Sequence, residues 1–174
     1  MSNRVCEECG ESLRLYRSQA RTCSARCRKR LSRRRTIPAA MTGRTRWVRR
    51  TSTKRPVTIA GKPASATDPS TWASYADAKA SSAGVGLGFV LGDGIGCIDL
   101  DHCLDGGVLA DWAAEYIRTF SEAVIFAEVS QSGEGVHLFI EAPEGPGRKI
   151  RDGRNIERYT SGRYIAVTGN KLIL

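Results

Sequence analysis

The chain has 174 residues, 41% of them apolar, with 27 Lys and Arg against 18 Asp and Glu and a formal net charge of +9. That length fits one ordinary domain with a small satellite and excludes a large multidomain enzyme, while the apolar content excludes wholesale disorder. No run approaches the roughly 18 apolar residues of a membrane span, and the N-terminus lacks the apolar stretch of a secretory signal, so a cytosolic chain with no membrane partner is expected.

The charge is divided unevenly. Residues 1–57 carry 17 basic and 3 acidic residues, a net +14, whereas residues 58–174 carry 10 and 15, a net −5. A basic head on a mildly acidic body points to a head that meets a polyanion, with nucleic acid the best fit for an arginine-rich soluble chain; a solvated basic tail has the same composition.

Four of the six cysteines fall in the head as C-x2-C-x13-C-x3-C: Cys6, Cys9, Cys23 and Cys27. Two short-spaced pairs supply the four thiolates of a tetrahedral zinc, and Gly10 permits the tight turn of a knuckle. Two disulfides use the same residues, but a reducing compartment disfavours them. Ser24 is placed to cap a helix from Ala25 to Arg35 with Cys27 in its first turn. That helix carries Arg26, Arg28, Lys29, Arg30, Arg33, Arg34 and Arg35 and almost no apolar face, which suits a DNA phosphate backbone. Pro38 ends it. The expected organisation is a zinc-binding basic module over 1–35, a linker over 36–45 and a larger body over 46–174.

In the body, Pro56–Ile59 reads as a short strand, and Asp68 opens a helical stretch with Trp72, Tyr75, Ala76 and Lys79 on one stripe. Gly88–Leu91, the turn Gly92-Asp93-Gly94 and Ile95–Asp101 read as a hairpin. A helix is expected from Val108 to Phe120, then strands Val124–Val129 and Val136–Ile140. A loop over 142–153 and two strands around 156–159 and 164–167 follow. Strands and hairpins dominate, so the class is α+β.

Three stretches carry chemistry. Asp99-x-Asp101 ends an apolar strand, where i and i+2 share a face and two carboxylates repel unless a cation lies between them; two solvent-facing aspartates have the same pattern. Ser130-Gln131-Ser132-Gly133-Glu134-Gly135-Val136-His137 places a serine- and glycine-rich turn before a strand, so backbone amides can face a phosphate, or the turn is a plain hairpin loop. Glu157, mid-strand, precedes the turn that holds Gly162 and Arg163; a shared metal suits it, as does a cross-hairpin pair with Arg158 or Arg163.

In this order, with Gly88-Phe89-Val90-Leu91 and Cys97-Ile98-Asp99-Leu100-Asp101 before Ser132–His137 and Ile156-Glu157-Arg158-Tyr159, the body from about Arg46 resembles the archaeo-eukaryotic primase superfamily, in particular the small primase-polymerases of phages and plasmids. The resemblance implies an RRM-like sheet with flanking helices and template-directed nucleotidyl transfer from dNTPs or NTPs on single-stranded DNA with two Mg²⁺ or Mn²⁺ ions. Asp99, Asp101 and Glu157 would hold those metals. His137 and Ser132 would contact the nucleotide phosphates, Gly133 and Gly135 would allow close backbone approach, and Arg163 and Lys54 would add phosphate contacts. It further implies a replicative helicase as partner and the cytoplasm of a bacterial host as location; the one structural zinc expected in the head lies outside the catalytic fold, although zinc modules accompany many primases. Larger relatives continue further, so the chain reads as a truncated or split enzyme. A DNA-binding accessory with an inactive primase-like body, or a metal-dependent nuclease, would carry the same residues.

Overall fold

The computed structural model describes residues 4–34, apart from the side chains of 32–34, and residues 37–172. In chain order the elements are α1 (Ala25–Arg34), α2 (Ala39–Thr42), β1 (Trp47–Arg50), β2 (Pro56–Val57), a 3-10 turn (Pro69–Thr71), α3 (Tyr75–Ala80), β3 (Gly86–Val90) and β4 (Ile95–Asp101). There follow β5 (Leu104–Asp105), β6 (Val108–Leu109), α4 (Asp111–Thr119), β7 (Val124–Val129), β8 (Val136–Glu141), β9 (Arg148–Ile150), β10 (Asn155–Tyr159) and β11 (Tyr164–Val167). They group into two compact units, Met1–Thr36 and Ile37–Leu174.

The smaller unit buries very little. Cys6, Leu13 and Cys27 form its core, with Cys23 packed against them. Its loop is tied instead by Arg4, whose guanidinium donates to the carbonyls of Leu13, Tyr16, Arg17 and Ser18. Ser24 Oγ accepts the Cys27 amide at 3.1 Å, which caps α1 as the sequence suggests.

The larger unit is α+β with every strand pairing antiparallel. One sheet runs β11-β3-β1-β2 and a second runs β7-β8-β4-β10-β9. Within the second, β4, α4, β7, β8 and β10 follow the split βαββ…β connection of RRM-like domains, with β9 and its loop where a second helix would stand. Strand alternation gives this sheet two different faces. Ile98, Leu100, Leu138, Ile140 and Ile156 pack with Ala113 and Trp112 of α4 in one core. Ile95, Cys97, Phe126 and Phe139 meet Trp47, Phe89, Ile165 and Val167 of the first sheet in another. Each fully buried side chain of this size contributes roughly 1.5–3 kcal/mol, and two such cores give this unit the stability that the smaller one lacks.

Several expectations change. Gly88–Leu91 and Ile95–Asp101 are not a hairpin: β3 is flanked by β11 and β1, β4 by β8 and β10, and a lone bridge, Gly92 to Ile95, links them. Each strand already uses both hydrogen-bonding edges, so the glycine turn carries the chain from one sheet to the other. The expected linker is, from Ile37 on, part of the larger unit, with Met41 of α2 fully buried and its carbonyl accepting the Trp47 indole N–H at 3.1 Å. The helix expected from Val108 begins at Asp111 because Val108–Leu109 pairs with Leu104–Asp105. Trp72 lies outside α3, which Ser74 caps at Tyr75. The loop over 142–153 contains the charged strand β9, too short to show a period.

Candidate active site and metal centre

Register decides what gathers in the larger unit. Asp99 stands opposite His137 on one side and Glu157 on the other, and His137 stands opposite Glu128. Directly paired residues present their side chains to the same face, so Glu128, His137, Asp99 and Glu157 form one transverse row. It lies on the face that, two residues away along each strand, supplies Cys97, Phe139 and Phe126 to the intersheet core. The face is thus apolar at one end and ionisable at the other.

Glu128 is fully buried and was missed at the level of sequence, where an acid in Val124–Val129 looks like an ordinary strand residue. Its Oε2 accepts from the Thr168 amide (3.0 Å), the Thr168 hydroxyl (3.1 Å) and the Gly169 amide (2.8 Å). Its Oε1 lies 3.0 Å from His137 Nδ1. A carboxylate there accepts the Nδ1–H, which fixes the ring and directs Nε2 towards Asp99 Oδ1 at 3.7 Å, too far for a hydrogen bond. Asp99 Oδ1 is buried with no hydrogen-bond partner. Burial pushes the Asp99 carboxyl up, with Asp101 and Glu157 adding to the effect and His137 and Lys54 opposing it. A buried acceptor left bare in this way fits a divalent cation, which favours carboxylate oxygens.

Glu157 is held differently. Burial alone would raise its carboxyl, but the Tyr159 hydroxyl (2.7 Å), Lys149 (3.1 Å) and Arg151 outweigh burial and hold it at about 2. The cross-hairpin partners are therefore Lys149 and Arg151 rather than Arg158, which pairs with Glu122, or Arg163. Arg163 reaches Glu157 only through Tyr159, stacking 4.5 Å over its ring and donating to its hydroxyl at 3.2 Å. Asp101 shares the Asp99 face one pleat on, opposite Asn155.

The Ser130–Gly135 turn is closed on itself. The Gly133 amide donates to the Ser130 carbonyl, the Glu134 amide to Ser132 Oγ and the Gly135 amide to Ser130 Oγ. Those three amides do not face outward as expected; Gly133 supplies a φ of +84°, and a Cβ on Gly135 would meet the Leu100 carbonyl at 2.9 Å. Ser132 stays exposed, with its hydroxyl 3.0 Å from that of Ser130. Lys54, in the β1–β2 turn of the first sheet, is exposed with a φ of 60° and acts on Asp99 electrostatically.

In the smaller unit the sulfurs of Cys6, Cys9, Cys23 and Cys27 lie within 4.8 Å of one another, and among the described residues these make the one cluster of three or more metal-ligating side chains drawn so close. Three separations are 3.5, 3.6 and 3.7 Å. A tetrahedron with metal–sulfur bonds of about 2.3 Å has edges of about 3.8 Å, so the set can hold a metal ion, and no disulfide joins them. Burial would raise the Cys6 thiol, but the amides of Cys23, Glu8 and Cys9 bring it to about 6, whereas the neighbouring Cys9 and Cys27 sulfurs push Cys23 up to about 12. Arg26, Arg28 and Lys29 are exposed on α1. Arg30 pairs with Glu8 at 3.1 Å and Arg21 with Glu7 at 2.6 Å, so part of the basic surface serves the fold. The side chains of Arg33 and Arg34, and all of Arg35, lie outside the described residues. Among the described residues no helix is long and apolar enough to cross a membrane.

Residues 27–172 match the family model described as bifunctional DNA primase/polymerase, N-terminal. The chain is also 37% identical over 135 residues, 71% of its length, to a DNA primase-polymerase of Nitratiruptor phage NrS-1, of which it spans 18%. The matched segment contains every member of the carboxylate row and the Ser132–His137 turn, and begins at Cys27, after the other three cysteines. The chain belongs to the bifunctional DNA primase/polymerase family and carries its N-terminal domain.

Proposed function

We propose that this chain carries the nucleotidyl-transfer centre of a phage or plasmid DNA primase/polymerase, extending a strand on single-stranded DNA from dNTPs or NTPs. The observation that supports this most is the bare, buried Asp99 Oδ1 in a row with His137 and Glu157, inside a family-matched segment. Asp99 and Asp101 would hold two Mg²⁺ or Mn²⁺ ions, with Glu157 across the ladder as third acid; such ions neutralise phosphate oxygens and lower the energy of an attacking 3′-oxygen. Protein groups do the rest. His137, fixed by Glu128, directs Nε2 to the same side as the carboxylates and holds a phosphate oxygen. Ser132 offers a hydroxyl at the rim, and Lys54 and Arg163 add positive charge.

In the smaller unit the four cysteines would take one Zn²⁺, and Arg26, Arg28, Lys29 and Arg30, continued by Arg33, Arg34 and Arg35, would lie along the template backbone. The test is incorporation of labelled dNTP and NTP on a primed and an unprimed single-stranded template. Template-dependent product supports polymerisation. Strand scission in its place would make the protein a nuclease, and binding with no product would make it an accessory.

A further inference from the structure

A cavity of about 530 Å³ lies between the two walls of the larger unit, lined by Arg50, Gly86, Ser132, Gly133, Thr168 and Asn170 among others. Arg50 is the last residue of β1 and is only 7% exposed, yet its Nε and Nη1 are buried with no hydrogen-bond partner. Its guanidinium lies across Gly86, its ladder partner, where a Cβ would come within 2.7 Å of the guanidinium carbon. The fold thus gives up a side chain at Gly86 to house a cation that it leaves unpaired. Burial pushes the nearby Tyr164 phenol up while the Arg50 charge opposes it, and its hydroxyl donates to the Lys54 carbonyl.

Leaving a guanidinium buried and bare is costly unless an anion completes it. Its planar fork suits two oxygens of one phosphate. Three successive contacts link the cavity to the carboxylates: Thr168, on its wall, holds Glu128, which holds His137, which faces Asp99. A backbone phosphate of a passing strand is met by exposed cations; a nearly buried one is reached by a chain end that enters the cavity.

We infer that Arg50 receives the terminal phosphate of a bound nucleoside triphosphate, a site that rests on the nucleotide-binding reading of Ser132 and His137 and adds a residue to it. The test measures affinity of the full-length protein for dATP, dADP and dAMP with Mg²⁺, and for a short single-stranded oligodeoxynucleotide, in wild type, Arg50→Met, Arg50→Lys and Ser132→Ala. Arg50→Met should weaken dATP by roughly tenfold to a hundredfold, as expected for a charge-assisted pair. It should leave dAMP and the oligonucleotide unchanged, and Arg50→Lys should recover part of the loss. The melting temperature of Arg50→Met should hold or rise, since the variant removes an unpaired buried cation; a merely structural arginine would lower it. Unchanged dATP affinity in Arg50→Met beside a weakened Ser132→Ala overturns the Arg50 assignment and leaves the nucleotide site standing. A loss confined to the oligonucleotide overturns it in favour of the strand backbone. No dATP binding by the wild type overturns both.

Discussion

The two units of this chain place their charges under opposite constraints. Among its described residues the smaller one has a core of Cys6, Leu13 and Cys27, and its arginines largely hold it together: Arg4 closes a loop through four carbonyls, while Arg21 and Arg30 pair with Glu7 and Glu8. The larger one has two apolar cores, and with that surplus it keeps Asp99 Oδ1 and two nitrogens of Arg50 buried without partners. Unsatisfied polar groups accumulate where packing can offset them, and such groups are the ones open to a ligand. The smaller unit has no such surplus, and on the proposed reading a metal held by its four cysteines would supply the stability instead.

The sharpest way to break this contrast is to remove the metal. Structural zinc supplies about 10–16 kcal/mol of apparent binding energy in such modules, so a strong chelator or Cys23→Ser should unfold residues 4–34 while the larger unit keeps its melting transition. Zinc content per chain and amide exchange resolved by segment check this; a common transition for both units would contradict it. Deleting residues 1–35 should also flatten the salt dependence of DNA binding.

Glu128 comes next. Glu128→Ala strands the Thr168 and Gly169 amides and frees His137, which should cost about 3–5 kcal/mol. Glu128→Gln should recover most of that stability while lowering kcat, because an amide can hold the ring in a different tautomer. Equal losses of activity and stability in both variants would reduce Glu128 to a packing residue.

A smaller effect has the opposite sign. Asp99→Asn removes a buried, unpaired charge and should stabilise the metal-free protein by about 1–2 kcal/mol. Added Mg²⁺ should raise the melting temperature of the wild type and not of the variant.

The smallest effect is in pH. The folded Glu157 carboxyl lies at about 2 against an ordinary 4.5, so its stabilising contribution is complete above its ordinary value and is lost as pH falls through about 2. Asp99, raised, contributes with the opposite sign, its ionisation costing stability as pH rises through its folded value. Glu157→Gln should therefore flatten the acid limb of a stability–pH curve in metal-free buffer, and an unchanged limb would contradict the cross-hairpin pairing.

The sequence displayed most of the chemistry and less of the architecture. The cysteine spacing and Asp99-x-Asp101 are local patterns in which chain spacing carries the geometry, whereas the Ser132–His137 turn spends its amides on itself rather than facing them outward. The crossing from β3 to β4 looks like a hairpin in the sequence because a Gly-Asp-Gly turn between two apolar runs is the same whether the runs pair with each other or with four other strands. Glu128 and Arg50 lie at ordinary positions in their strands. Their significance comes from register with His137 and Gly86, 9 and 36 residues away, which no local pattern encodes.

The central claim is that the Asp99 row runs nucleotidyl transfer. It is tested most directly by template-dependent incorporation of labelled nucleotide in wild type and in the Asp99→Ala, Asp101→Ala double variant, with melting curves recorded on the same preparations. The account predicts incorporation by the wild type and none by the variant, with the melting temperature kept or raised. Undiminished incorporation by a folded double variant would contradict it.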